Sequence, residues 1–81
     1  MSTVIALRDV LADLRGDPEL RTLPDTASVL TDVGLDSLEL LQFMLEVEAS
    51  LAVQIDFEQL SYDHLRSLAE LASFLDSMPR R

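Results

Sequence analysis

Ser37 stands close to two carboxylates in the segment Gly34-Leu35-Asp36-Ser37-Leu38-Glu39. Asp36 followed three residues later by Glu39 is a capping box, in which each side chain binds a backbone N–H at the start of a helix. The pattern predicts that Ser37 is exposed at the first helical position, where free N–H groups and the helix dipole favour a phosphate. Nothing nearby is suited to activate the serine as a nucleophile. The segment therefore indicates a serine that another enzyme modifies.

Two other kinds of chemistry are disfavoured. A serine hydrolase would need the Gly-x-Ser-x-Gly motif, which is absent, and a base, for which the only histidine is His64. A calcium loop would need the spacing of an EF-hand, which the acidic residues between Asp32 and Glu39 do not have. We therefore predict no catalytic residue and no dedicated metal site, although weak binding of divalent cations by these acids stays open.

Composition limits the remaining possibilities. The chain has 81 residues, no cysteine, 15 acidic and six basic residues, and a formal net charge of −9. Such a chain suits one small domain without disulfides, and its charge repels nucleic acid and anionic membranes while attracting basic partners. Acidity that only maintains solubility is the alternative. Without an apparent signal peptide, a membrane-length apolar run or a heptad pattern, we expect a cytoplasmic monomer with no nucleic-acid or membrane partner.

Helical periodicity and helix stop signals predict an all-α four-helix bundle, with three longer helices, a long first loop and a short third helix. The first helix begins at Ser2 or Thr3 and stops at Gly16, and a connection over 17–35 follows. The second helix runs from Asp36 to about Leu51. We predict a single domain over residues 1–81, with an ordered bundle at about 3–77 and a frayed tail at 78–81.

Two further capping boxes indicate where the later helices begin. Asp56-Phe57-Glu58-Gln59 predicts the short third helix, around 57–61, and Ser67-Leu68-Ala69-Glu70 predicts the last helix.

The second helix carries two apolar stripes, although a surface helix usually needs one. Phe43 lies on the stripe that we assign to the core, together with Leu40, Val47 and Leu51. The opposite stripe begins beside Ser37 and consists of Leu38, Leu41 and Leu45, flanked by Gln42, Glu48 and Ala49. A helix buried on both sides would explain the pattern. A docking surface for partner proteins, in which apolar contacts give affinity and charges give steering, explains it as well.

The chain resembles the acyl carrier proteins of the phosphopantetheine-binding carrier family. The resemblance covers nearly the whole chain and centres on Val33-Gly34-Leu35-Asp36-Ser37-Leu38-Glu39, which matches the family's Asp-Ser-Leu attachment motif. It implies a four-helix bundle and a 4'-phosphopantetheine arm, moved from coenzyme A to Ser37 by a phosphopantetheinyl transferase. It also implies that Asp36 helps the transferase to orient its metal ion and coenzyme A. Acyl groups would be carried as thioesters on the arm, with no catalysis by the chain itself.

The resemblance also implies partners and the surface that meets them. Transferases, loading ligases for acyl or aminoacyl groups, and synthases would contact the second helix at Leu38, Glu39, Leu41, Gln42, Leu45 and Glu48. Gln42 and Ala49 depart from the acidic residues of many fatty-acid carriers, and Asp56 replaces a proline that often opens the third helix.

The motif Gly34-Leu35-Asp36-Ser37-Leu38 favours an acyl carrier over the Gly-Gly-His-Ser pattern of peptidyl carriers, and the less negative docking helix favours a specialised pathway, of the polyketide or lipopeptide type. Because the chain ends on both sides of one domain, we expect a free-standing carrier. An aminoacyl or peptidyl carrier of a nonribosomal peptide-type pathway is the first alternative. A helical interaction module without a prosthetic group is the second.

Overall fold

The described part of the chain, residues 2–80 of the computed structural model, is all-α. Three α-helices form its frame: α1 (Thr3–Arg15), α2 (Ser37–Leu51) and α3 (Leu68–Asp76). Two short 3-10 helices, Pro18–Thr22 and Tyr62–Leu65, lie in the two connections between them. The predicted all-α class is confirmed, with three α-helices rather than four in the described range, and the predicted long first loop connects α1 to α2.

Local signals explain where α1 ends and the first loop begins. Gly16 adopts φ +65°, in the left-handed region that glycine enters without strain, and its N–H donates to the carbonyl of Ala12. Asp17 then caps the first 3-10 helix by accepting from the N–H of Glu19 at 3.1 Å. The predicted stop at Gly16 is therefore confirmed, and the first loop is partly helical.

One apolar core joins the three α-helices. Its fully buried side chains come from α1 (Leu7, Leu11), α2 (Phe43, Met44, Val47) and α3 (Leu68, Leu71, Leu75). Val29 and Leu35 add buried side chains from the first loop, so the segment just before Ser37 is packed into the core.

The prediction of a short third helix at 57–61 was wrong. Asp56 accepts from the N–H of Glu58 at 3.1 Å, and its own carbonyl accepts from Gln59 at 3.1 Å, which closes a turn rather than a helix. The 3-10 helix begins further on, after Ser61, whose N–H donates to Nδ1 of His64 at 3.0 Å. A histidine serves here in place of the glutamate or glutamine of a capping box, so the usual sequence signature does not reveal this helix start.

Residues 78–80, which we predicted to belong to a frayed tail, contact the rest of the chain. Met78 packs against the core, and the carbonyl of Pro79 accepts from the N–H of Gln54 at 2.9 Å. The guanidinium of Arg80 donates to the carbonyl of Leu51 at 3.0 Å, which places a cation at the negative end of α2. Arg81 lies outside the described residues.

Candidate functional site

Ser37 is the first residue of α2, and its side chain is exposed. Both bonds of the predicted capping box form: Asp36 Oδ1 accepts from the N–H of Glu39 at 2.8 Å, and Glu39 Oε1 accepts from the N–H of Asp36 at 3.3 Å. Because these neighbours cap the helix, the hydroxyl of Ser37 forms no hydrogen bond with any other residue in the described range 2–80. The hydroxyl is therefore free to be modified without loss of a structural contact.

The chain reaches Ser37 through an ordered turn. Leu35 is buried, and its N–H donates to the carbonyl of Val29 at 3.0 Å. Gly34 precedes it with φ +79°, a left-handed conformation that disfavours any side chain. The buried hydroxyl of Ser28 donates to the carbonyl of Leu65 at 2.9 Å, which ties the first loop to the second 3-10 helix. Ser37 thus stands two residues beyond a firmly anchored leucine.

Arg15, at the end of α1, contacts this turn from the other side. Its Nε lies 3.2 Å from Glu39 Oε2, and its Nη2 donates to the carbonyls of Val33 at 3.2 Å and Gly34 at 3.1 Å. No sequence pattern predicts this arrangement, because nothing in the spacing of the arginines connects residue 15 with residues 33–39. The guanidinium is the element of the site that sequence reasoning missed.

The two stripes of α2 meet different environments, as the periodicity predicted. Phe43 and Val47 are fully buried, whereas Leu38 is 64% exposed, Leu41 49% and Leu45 50%. The alternative of a helix buried on both sides is therefore wrong. The exposed stripe begins directly after Ser37, so a protein that docks on it would also reach the serine.

The acidic residues predicted to contact partners are bonded within the chain. Glu39 binds both Arg15 and the N–H of Asp36, and Glu48 accepts from the N–H of Ile55 at 2.9 Å. Gln42, which lies on the same surface, is exposed and uncharged. The exposed stripe is therefore apolar with acidic residues at its edges, and its role in partner binding stays a prediction.

The remaining candidate chemistry does not assemble around Ser37. His64 stacks on Phe74 with ring centroids 4.4 Å apart, and its Nδ1 is occupied by the N–H of Ser61. Within residues 2–80, no group of three or more histidine, cysteine or acidic side chains is placed to hold a metal ion. In the same range, no helix combines the length and the apolar character that crossing a bilayer requires.

Such a site suits a phosphate ester that connects the chain to a flexible group. The Ser37 hydroxyl is exposed and unbonded, and it stands at the positive end of α2, where the helix dipole favours an added phosphate. A group attached there extends into solvent without displacing any core side chain. Fold and site together suit a carrier domain, and attachment of a prosthetic group at Ser37 stays a prediction.

Comparison with known proteins identifies the family. The family model described as the phosphopantetheine attachment site matches residues 6–75, and the chain belongs to this family. Its prosthetic group is covalently attached 4'-phosphopantetheine. Two curated relatives, both named acyl carrier protein, come from Brachyspira hyodysenteriae, one of them from strain ATCC 49526 / WA1. Each is 25% identical over 76 residues, which cover 94% of this chain and 95% of the relative. No solved structure gives a significant match.

Proposed function

We propose that the chain carries acyl groups as thioesters on a 4'-phosphopantetheine arm attached to Ser37. The observation that carries this proposal is the state of the serine: its hydroxyl is exposed and unbonded, while Asp36 and Glu39 form the helix cap in its place. The arm supplies the thiol, which a chain without cysteine does not have. The chain itself is a substrate and partner of enzymes rather than a catalyst.

The choice of an acyl group rests on the motif and on the relatives. Gly34-Leu35-Asp36-Ser37-Leu38 resembles acyl carriers rather than the Gly-Gly-His-Ser pattern of peptidyl carriers, and both curated relatives are named acyl carrier protein. An aminoacyl carrier would receive its cargo from an aminoacyl ligase instead of an acyl ligase. Comparing the two kinds of ligase on the chain that bears phosphopantetheine therefore distinguishes the two cargoes.

The partners that we propose dock on the exposed stripe of α2. Leu38, Leu41 and Leu45 present the apolar contacts, with the uncharged Gln42 among them and Glu48 at the edge. This surface suits a transferase, ligase or synthase that offers an apolar recess. It supports the proposal of a specialised, polyketide- or lipopeptide-type pathway, in which the chain acts as a cytoplasmic monomer.

The test of the proposed function is covalent loading. The purified chain, shown to be folded by circular dichroism, is incubated with coenzyme A and a phosphopantetheinyl transferase of broad specificity, and its intact mass is recorded. We expect a gain of one phosphopantetheine, and fragmentation should place the added mass on Ser37. A folded chain that gains no mass with several transferases would contradict the proposal and favour a plain interaction module.

We expect Leu41→Ala to weaken docking without weakening the fold. Leu41 is 49% exposed and sits in the middle of the stripe, so a partner that covers it loses a buried apolar contact. The KM of the transferase for the chain should rise about tenfold, the equivalent of about 1.4 kcal/mol. Steady-state kinetics of phosphopantetheine loading, at a fixed concentration of coenzyme A, measure this KM.

Ile5→Ala is the matched control, because Ile5 lies on α1 and is 48% exposed. Its KM should stay at the native value. An equal rise in both variants would mean that the stripe on α2 is not the docking surface.

A further inference from the structure

We propose that Arg15 is a positioning residue for the modification of Ser37, an inference that rests on the proposed function and deepens it. Arg15 belongs to α1, twenty-two positions before the serine, yet its guanidinium contacts the chain on both sides of it. Before the serine it binds the carbonyls of Val33 and Gly34, and after the serine it binds the carboxylate of Glu39.

The geometry of the guanidinium explains why arginine suits this place. Its planar fork can bind a carboxylate through one N–H and backbone carbonyls through another at the same time. Here Nε faces Glu39 at 3.2 Å, and Nη2 faces the two carbonyls at 3.2 and 3.1 Å. A lysine carries the same charge as a single point and lacks this fixed fork.

Glu39 connects Arg15 to the backbone beside the serine. One of its carboxylate oxygens binds Arg15, and the other accepts from the N–H of Asp36, the residue that immediately precedes Ser37. Arg15 thereby fixes the orientation of the capping glutamate and the path of the glycine turn together. The backbone that enters and leaves Ser37 is held from α1, although the hydroxyl of Ser37 forms no hydrogen bond within the described residues.

The reaction that this arrangement serves is a phosphoryl-group transfer. The Ser37 oxygen bonds to the phosphorus that bears the pantetheine arm of coenzyme A, and the bond from that phosphorus to 3',5'-ADP breaks. The serine proton passes to a base of the transferase, and 3',5'-ADP leaves with the electron pair of the broken bond. An in-line attack needs the serine oxygen in a defined place. Because the backbone at Ser37 is already ordered in the free chain, less conformational entropy is lost when the transferase docks.

The expected effect is therefore on the KM for the chain more than on kcat. If only a fraction of free molecules holds Ser37 in the competent geometry, the apparent affinity is multiplied by that fraction and KM rises by its inverse, while the docked complex reacts at its usual rate. For Arg15→Ala we expect KM to rise about fivefold, with kcat within about twofold of the native value. Arg15→Lys should give a KM between the native value and that of the alanine variant.

A second readout does not depend on loading. Amide hydrogen exchange at Asp36 and Glu39, whose N–H groups form the capping box, should be faster in Arg15→Ala than in the native chain. Arg21→Ala is the matched control, because it removes the same charge and two ion pairs, to Asp9 and Asp13, away from the serine. Its KM and its exchange rates at the capping box should be native.

The outcomes separate this inference from the proposed function. A native KM in Arg15→Ala, an equal rise in Arg21→Ala, unchanged exchange at Asp36 and Glu39, or a fully native Arg15→Lys would each overturn the positioning role. If the native chain itself is never loaded, the proposed function fails, and the exchange measurement alone decides whether Arg15 orders the turn around Ser37.

Discussion

Replacing Ser37 by alanine is expected to abolish loading with phosphopantetheine completely, because no other oxygen takes the place of the serine hydroxyl. The hydroxyl makes no hydrogen bond within the described residues, and alanine is favourable inside a helix, so the variant should fold as the native chain does. Intact mass after incubation with coenzyme A and the transferase measures the result. Thermal unfolding followed by circular dichroism checks the fold.

Ser73→Ala provides the control for this experiment, since Ser73 is an exposed serine on α3, remote in sequence from the capping box. It should load fully. Residual mass gain in Ser37→Ala would mean that another residue bears the arm. Unchanged binding of a partner by Ser37→Ala, with no loading of the native chain, would instead identify an interaction module that needs no prosthetic group.

The start of α2 could be predicted residue by residue because its signals are local. Asp36 and Glu39 are three residues apart and depend only on the geometry of one helical turn, so the sequence determines both bonds of the capping box. The exposed position of Ser37 follows from the same turn. The two stripes of α2 follow from a helical period that needs no knowledge of the neighbouring elements.

The contacts of Arg15 and Arg80 could not be predicted because they join segments that are distant in sequence and meet only in the folded chain. Arg15 reaches residues 33–39 from another helix, and Arg80 binds Leu51 across 29 positions. A basic residue near the carboxyl end of a helix is a known preference, but it does not specify which helix end an arginine from elsewhere will bind.

The third helix was misplaced for a different reason, since two competing starts lie close together. The Asp56 motif fits the usual capping signature, but its carboxylate binds the N–H two residues on and closes a turn. His64 supplies the working cap at Ser61 with a ring nitrogen. A capping-box pattern that accepts only glutamate or glutamine at its fourth residue therefore selects Asp56 instead of Ser61 as the start of the helix.

The contrast between the two stripes of α2 has a large consequence for stability. Phe43→Ala is expected to lower the free energy of unfolding by about 3–5 kcal/mol, because the ring is fully buried at the centre of the core and the cavity has few ways to close. Small domains are stable by only about 5–15 kcal/mol, so this substitution removes a large part of the total. Urea unfolding followed by circular dichroism measures it.

Leu45→Ala is the matched test on the other stripe of the same helix. Leu45 is 50% exposed, so we expect its loss to change the free energy of unfolding by no more than about 0.5 kcal/mol. A large loss in Leu45→Ala would place the second stripe inside the fold and remove the docking surface from the proposal. A small loss, beside the large one at Phe43, means that stability does not require this stripe, which leaves contact with partners as the role for three leucines beside Ser37.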